Sequence, residues 1–238
     1  MIDLKVQRLA MVPGTQCNDR LWERVMPLLG DHVNPCHVAI EQCTTRTHML
    51  DKIGDELNPS GHLLGFSMGG YLALEYALAN PDRVDSLVLI ASSAFGLNRE
   101  EKQARDAMST FLKTNTYSGM STGRIRQFIS SKRWQDKALV NVVKEMDKTL
   151  GGATLLNQVQ ETSDREDLSA RLGSLTCRVL VIAAQDDQKV SSQDLQRMAD
   201  MLPNAQLTVF NDCGHMVPLE QPEALAERLN QFFSGKGQ

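Results

Sequence analysis

Ser67, in Gly65-Phe66-Ser67-Met68-Gly69-Gly70, is the residue of this sequence best placed to do chemistry. The G-x-S-x-G pattern suits a serine held on a sharp turn from a strand into a helix, where any Cβ two residues to either side would strike the adjoining backbone. A serine hydroxyl is a weak nucleophile at neutral pH, so a base must be supplied. His215, in Asp212-Cys213-Gly214-His215, falls between the last strand pattern and the last helix, from where a loop can bring an imidazole over Ser67. The other four histidines, His32, His37, His48 and His62, precede the serine and do not fit a chain order of nucleophile, acid, base. The acid is expected after the penultimate strand, in Ala184-Gln185-Asp186-Asp187-Gln188. Both aspartates are open there; Asp187 is preferred for its distance from the strand end, which leaves Asp186 to cap or hydrogen-bond the turn. Acyl transfer also needs donors for a tetrahedral oxyanion. The backbone amide of Met68, at a helix start, is one candidate, and that of Thr15, in Pro13-Gly14-Thr15-Gln16, is the other. A plain Pro-Gly turn is the alternative for that segment.

Positioning these groups requires alternating strands and helices. Val6 to Val12 reads as a strand ending at Pro13-Gly14, followed by a helix carrying Leu21, Trp22, Val25 and Leu28. A second unit runs through an apolar stretch at Val38 to Ile40 and a helix over His48 to Leu57. His62 to Phe66 is a strand that delivers the serine, and Tyr71 to Ala79 the helix behind it, stopped by Asn80-Pro81. Ser86 to Ala91 and Arg178 to Ala184 are near-continuous apolar runs, the mark of strands covered on both faces. Gln206 to Phe210 makes the last strand and Pro218 to Phe233 the last helix. The alternation predicts an α/β fold with a doubly wound, mostly parallel sheet of about six strands. Between residues 97 and 174 strand signals vanish. Helical patterns at Arg99 to Lys113, Thr122 to Ser131, Lys137 to Leu150 and Thr154 to Glu161 replace them, broken by Gly119, Trp134-Gln135-Asp136 and Gly151-Gly152. We read 97–174 as a helical cap inserted over the ligand-binding edge of a core made of 1–96 and 175–238; an ordinary helical subdomain away from the site is the alternative.

At 238 residues the chain suits one catalytic domain with an insertion. Its net charge of −4 supplies no broad basic field, so no nucleic acid is expected as a partner. Asp3, Lys5 and Arg8 interrupt the opening residues and no run approaches a membrane span, so no membrane partner and a cytoplasmic location are expected. Cys17, Cys36, Cys43, Cys177 and Cys213 are odd in number and lack C-x-x-C spacing, which reads as reduced thiols. The histidines show no ligand spacing, so no metal and no cofactor are expected. Ser234-Gly235-Lys236-Gly237-Gln238 reads as a frayed tail.

On these motifs, together with Asn80-Pro81-Asp82-Arg83-Val84 and Gly214-His215-Met216-Val217-Pro218-Leu219-Glu220-Gln221-Pro222-Glu223, the chain resembles the α/β-hydrolase superfamily over nearly its whole length. Within it the chain is similar to small capped esterases, the 3-oxoadipate enol-lactonases and the pimeloyl-carrier-protein methyl ester esterases; Arg165-Glu166-Asp167 resembles the cap-exit segment of that group. The resemblance implies an α/β-hydrolase fold whose first two strands are absent. Pro13-Gly14 stands for the family's His-Gly, Ala184 for a Gly before the acid loop and Ser191 for a Pro after it. A serine rather than an aspartate at the turn argues against dehalogenase or epoxide hydrolase chemistry.

The expected substrate is a small acyl compound: a carboxylic ester, thioester or lactone. From Leu97 to Leu150 there are eleven Lys and Arg against six Asp and Glu. A solvated basic face is the plain reading of that excess; the sharper one is that Arg124 to Arg133 steers an anionic or carrier-bound acyl substrate. Two other functions fit the same residues, a ligand receptor with slow turnover and a lyase or synthase using the serine and histidine for proton abstraction.

Overall fold

The computed structural model describes residues 6–234; most of the closing tail lies outside them. Six parallel strands form one sheet in the order β2-β1-β3-β4-β5-β6: β1 (Gln7–Val12), β2 (Val33–His37), β3 (Gly61–Phe66), β4 (Val84–Ile90), β5 (Arg178–Ala184) and β6 (Ala205–Phe210). Central β3 is buried at every position, as a strand covered on both faces must be. Alternate side chains go to opposite faces. Leu64, Phe66, Val88, Ile90, Leu180 and Ile182 enter one core cluster, and Leu63, Leu87, Leu89, Val179, Val181 and Ala183 the other.

Helices α1 (Arg46–Glu56) and α2 (Met68–Ala79) follow β2 and β3. Thr45 caps α1 by accepting from the His48 N–H. α2 is apolar nearly all round, with Tyr71, Leu72, Leu74 and Tyr76 buried, because it packs on the sheet centre. Between β4 and β5 lies the all-helical stretch of α3 (Arg99–Thr114), α4 (Thr122–Ile125) and α5 (Lys137–Glu161). An Asn98/Glu101 capping box starts α3, which buries no residue fully. After β5 come α6 (Ser192–Met201), α7 (Val217–Glu220) and α8 (Pro222–Phe233).

Five local expectations need correction. The second strand is Val33–His37, not the apolar Val38 to Ile40. It is an edge strand containing Pro35, which tolerates no second partner, so it carries no apolar run to betray it. Leu21, Trp22 and Val25 are buried as expected, but two short 3-10 turns, Asp19–Leu21 and Met26–Leu28, replace a helix, and Leu28 is exposed. Pro27 sits where a longer helix would need its N–H. Thr122 to Ser131 shortens to the single turn of α4, with a 3-10 turn at Ser131–Arg133. The two helices expected on either side of Gly151 form one bent element, kinked where Gly151 takes φ 71°. In the same way the last helix is broken at Gln221 into α7 and α8. Among the described residues no helix is long and apolar enough to cross a membrane.

Candidate active site

Ser67 occupies the turn between β3 and α2 with φ 53° and ψ −118°, a strained backbone for a residue with a side chain. Two glycines make this turn possible. A Cβ on Gly65 would lie 2.4 Å from the Gly69 carbonyl oxygen, and one on Gly69 2.3 Å from that of Pro13. The turn is also held from the sheet, since the Ser67 N–H donates to the Ile90 carbonyl at 2.9 Å. Strain is thereby imposed by packing, and the hydroxyl is presented beyond the C-terminal ends of the strands.

Three of the expected residues meet there. Ser67 Oγ lies 2.9 Å from His215 Nε2, and His215 Nδ1 lies 2.8 Å from Asp187 Oδ2. The Asp187 side chain is fully buried and the imidazole nearly so. The other oxygen of Asp187 accepts from the backbone N–H groups of Lys189 and Val190 at 2.7 and 3.1 Å, so the carboxylate is satisfied at both ends. Asp186 turns away: its Oδ2 accepts from Ser130 Oγ at 2.6 Å, and its N–H donates to the Cys213 carbonyl. Of the two adjacent aspartates, only Asp187 contacts the ring.

Met68, the first residue of α2, has an amide without an intrahelical acceptor. Thr15 lies beside it, its Oγ1 3.4 Å from Met68 Sδ. Gly14 packs so tightly that a Cβ there would come within 3.2 Å of Ser67 Cβ. Thr15 and Met68 are thus neighbours of each other at the edge of the serine turn.

Spacing did not reveal the residues that hold these loops. Gln16 has φ 55°, and the helical stretch clamps it in that conformation: its N–H donates to Gln158 Oε1 at 2.9 Å, and its Nε2 to Asp147 Oδ1 at 3.0 Å and to the Gly151 carbonyl at 3.1 Å. Buried Asp147 also accepts from Tyr117 Oη and from the Met120 N–H, both at 2.6 Å. Burial and this carboxylate push the Tyr117 phenol up from its ordinary value. On the opposite side, Glu220 Oε2 accepts from the N–H groups of Ser130 and Gly214, tying the histidine loop to the same stretch. Its carboxyl is raised by burial, against which those N–H groups pull. A Cβ on Gly214 would lie 2.5 Å from the Ser130 nitrogen, so the contact depends on glycine. Gln16 and Asp147 lie in polar sequence, so nothing local marks them as buried partners.

Two adjoining cavities open over the site. One, of about 390 Å³, contains Ser67, His215, Arg105, Arg165 and Lys189 in its wall. The other, of about 520 Å³, is walled by Met108, Phe111, Met120, Phe128, Val143 and Met146 among others. Thr15, Met108, Phe128 and Met216 belong to both. The basic run at 124–133 is dispersed: Arg124 reaches both cavities, whereas Arg126 lies over Trp134, Lys132 pairs with Asp212 and Arg133 with Asp136. All five cysteines are free thiols. Buried Cys17 is pushed up to about 12 by desolvation and is a packing residue.

Known proteins resemble the chain at both levels. A 2-hydroxy-6-oxononadienedioate/2-hydroxy-6-oxononatrienedioate hydrolase of Cupriavidus pinatubonensis is 28% identical over 193 residues, 78% of this chain and 66% of that protein. The matched chain thus spans just under two thirds of that relative's length. A pimeloyl-[acyl-carrier protein] methyl ester esterase of Nitrosomonas europaea is 26% identical over 238 residues, 90% of this chain and 91% of the relative. In structure, the enol-lactonase of Burkholderia xenovorans superposes with a TM-score of 0.84 at 14% identity, covering 97% of this chain and 92% of the other, a likeness of fold. Residues 47–222, which carry the serine turn, the acid loop and the histidine, match the α/β hydrolase fold family, and the chain belongs to that family.

Proposed function

We propose that this protein is a serine hydrolase that cleaves a carboxylic ester, thioester or lactone through an acyl-enzyme on Ser67. One observation carries the reading: an unbroken hydrogen-bond chain of 2.8 and 2.9 Å from a buried carboxylate through an imidazole to a hydroxyl on a strained turn. Ser67 Oγ attacks the carbonyl carbon as its proton passes to His215 Nε2, and Asp187 holds the ring and stabilises the imidazolium. Negative charge on the former carbonyl oxygen faces the N–H groups of Met68 and Thr15. Collapse breaks the bond to the leaving group, which departs with the proton from Nε2. Water repeats the sequence on the acyl-enzyme and returns a free acid and the serine. Residues 97–174 act as a cap that walls the substrate cavities. The chemistry calls on no cofactor, and the pimeloyl-[acyl-carrier protein] esterase relative makes a carrier-bound acyl chain one substrate to test.

The test is a panel of esters, thioesters and lactones assayed with wild type and Ser67→Ala together, with mass spectrometry of the trapped adduct. Turnover lost in Ser67→Ala and an acyl mass on the peptide carrying residue 67 are expected. Saturable binding with negligible turnover would assign a receptor instead, and product formed by elimination without an adduct would assign a lyase.

A further inference from the structure

The cavity over Ser67 contains a charge arrangement that the acyl-transfer reading leaves unexplained. Arg165, on the segment leading out of the helical stretch, forms no ion pair and no hydrogen bond among the described residues, and its Nε is buried with no partner. Its guanidinium rests over the Tyr71 ring, 5.3 Å from the centroid. The Tyr71 hydroxyl donates to the Glu166 carbonyl at 3.0 Å and so pins the same segment. Arg105 projects into the cavity from α3. It donates only to neutral oxygens, Thr162 Oγ1 at 2.9 Å and the Val159 carbonyl at 3.3 Å.

Burial lowers both groups, Arg105 to about 10; Glu101 pulls each of them back up, while a neighbouring arginine lowers each further, Arg165 for Arg105 and Arg46 for Arg165. Desolvating two like charges next to each other costs free energy, and proteins retain such pairs where a counter-charge arrives from outside. Glu101 is the one carboxylate in the cavity wall, against Arg105, Arg124, Arg165 and Lys189. It forms no ion pair with any of them, and its Oε2 is engaged by the Asn98 N–H at 2.9 Å. Arg46, by contrast, is neutralised by Glu75 and Asp164. The surplus positive charge therefore faces the space in front of Ser67.

We propose that Arg105 and Arg165 form a carboxylate subsite, so that the preferred substrate is an ester of a short dicarboxylic acid whose free carboxylate docks between the two guanidiniums while its ester carbonyl meets Ser67. The planar fork of arginine suits a carboxylate, and a partly desolvated cavity strengthens the contact. The larger apolar cavity then receives the uncharged leaving group. This inference rests on the serine hydrolase reading for its substrate class but not for its binding.

Two measurements separate the readings. In the first, kcat/KM is compared for monomethyl glutarate, adipate and pimelate against the corresponding dimethyl esters. Wild type is expected to prefer the charged monoester, and Arg165→Gln to lose about tenfold to a hundredfold of that preference. Arg165→Lys should restore part of it, and Lys102→Gln, a loss of the same charge from α3 outside the cavity, should leave it unchanged. In the second, binding of adipate to Ser67→Ala is titrated calorimetrically at low and high salt, with an Arg165→Gln version alongside and thermal melting as a check on folding. Saturable binding that Arg165→Gln abolishes supports the subsite even if no ester is turned over. Hydrolysis of neutral esters with no preference for the monoester, or adipate binding equally to folded Arg165→Gln, would overturn it and leave the serine hydrolase reading standing.

Discussion

The sheet and the helical stretch between β4 and β5 are built on opposite terms. β3 buries every residue and α2 nearly every one, and the serine turn between them is set by backbone packed on backbone. In contrast, α3 buries no residue fully, and Phe111 and Trp134 of the helical stretch remain exposed. That stretch joins one apolar core cluster through Ile125, Ile129, Leu139, Val143 and Met146, and at the site it adds polar bonds: Asp147 and Gln158 to Gln16, and Ser130 to Glu220 and Asp186. The sheet thus supplies the reacting hydroxyl by steric necessity. The helices tune the loops around it through contacts that can be exchanged one at a time.

The strongest test of this contrast removes the hydroxyl or the ring. Ser67→Ala and His215→Ala are each expected to lower kcat for an ester on the order of a million-fold, and the double variant to lose no more than either alone. Additive losses measured by single-turnover kinetics would mean that the two residues do not act as a unit.

Next in size, Asp187→Asn should lower kcat about 10,000-fold by placing the wrong tautomer on the ring. Asp186→Asn, whose carboxylate meets Ser130 rather than the imidazole, should cost about tenfold or less. Equal losses in steady-state assays would contradict the geometry of the two neighbouring residues.

Glycine substitutions separate the two regions by stability. Gly65→Ala is expected to destabilise by about 3 kcal/mol or to block folding, because its methyl would strike the rigid backbone of Gly69 and Gly70. At Gly151 a methyl meets nothing within 4 Å, so only the backbone is strained, its φ 71° and ψ −177° lying in a region nearly confined to glycine, at about 2 kcal/mol. Urea unfolding that ranks the two in the reverse order would break the contrast.

A pH dependence belongs to the sheet. His62, on β3, bonds Ser86 Oγ at 2.8 Å and stacks on Phe233, and burial lowers its imidazole to about 4. Because the unfolded chain takes up this proton near pH 6.5 and the folded protein does not, the group's contribution is complete above pH 6.5 and lost as pH falls toward 4. The full swing is about 3 kcal/mol. In His62→Gln, denaturant unfolding between pH 7 and 4.5 should show a correspondingly flatter profile.

The clamp between the two regions is tested by one substitution. Asp147→Asn keeps one acceptor for the three groups that now donate to the carboxylate, at a cost of about 2 kcal/mol. By loosening Gln16 beside Thr15 it should lower kcat while KM for a short neutral ester stays nearly constant. A fall in thermal stability with kcat untouched would confine Asp147 to a structural role.

Much of this could be read from the residues. The apolar runs of β3, β4 and β5 announced themselves because strands covered on both faces have no polar side to disguise them. Edge strand β2 is displaced by several residues from the expected position for the opposite reason, since only Val33 of it is fully buried and Pro35 interrupts it. At the site, the glycine pattern around Ser67 and the late position of His215 were visible as types and order. The clamp on Gln16 was not, because its partners lie more than 130 residues away along the chain.

By itself, then, the sequence determined the doubly wound α/β fold, the glycine-flanked serine turn and the few residues able to serve it, since hydrophobic period and glycine spacing act over a handful of neighbours. Tertiary structure alone decided which of two adjacent aspartates faces the imidazole, which polar residues of the helices brace the loops, and that two arginines stand without an ion pair before the serine. Those outcomes turn on the direction of single side chains across long chain separations, where hydrogen-bond geometry and burial decide and local pattern has no influence.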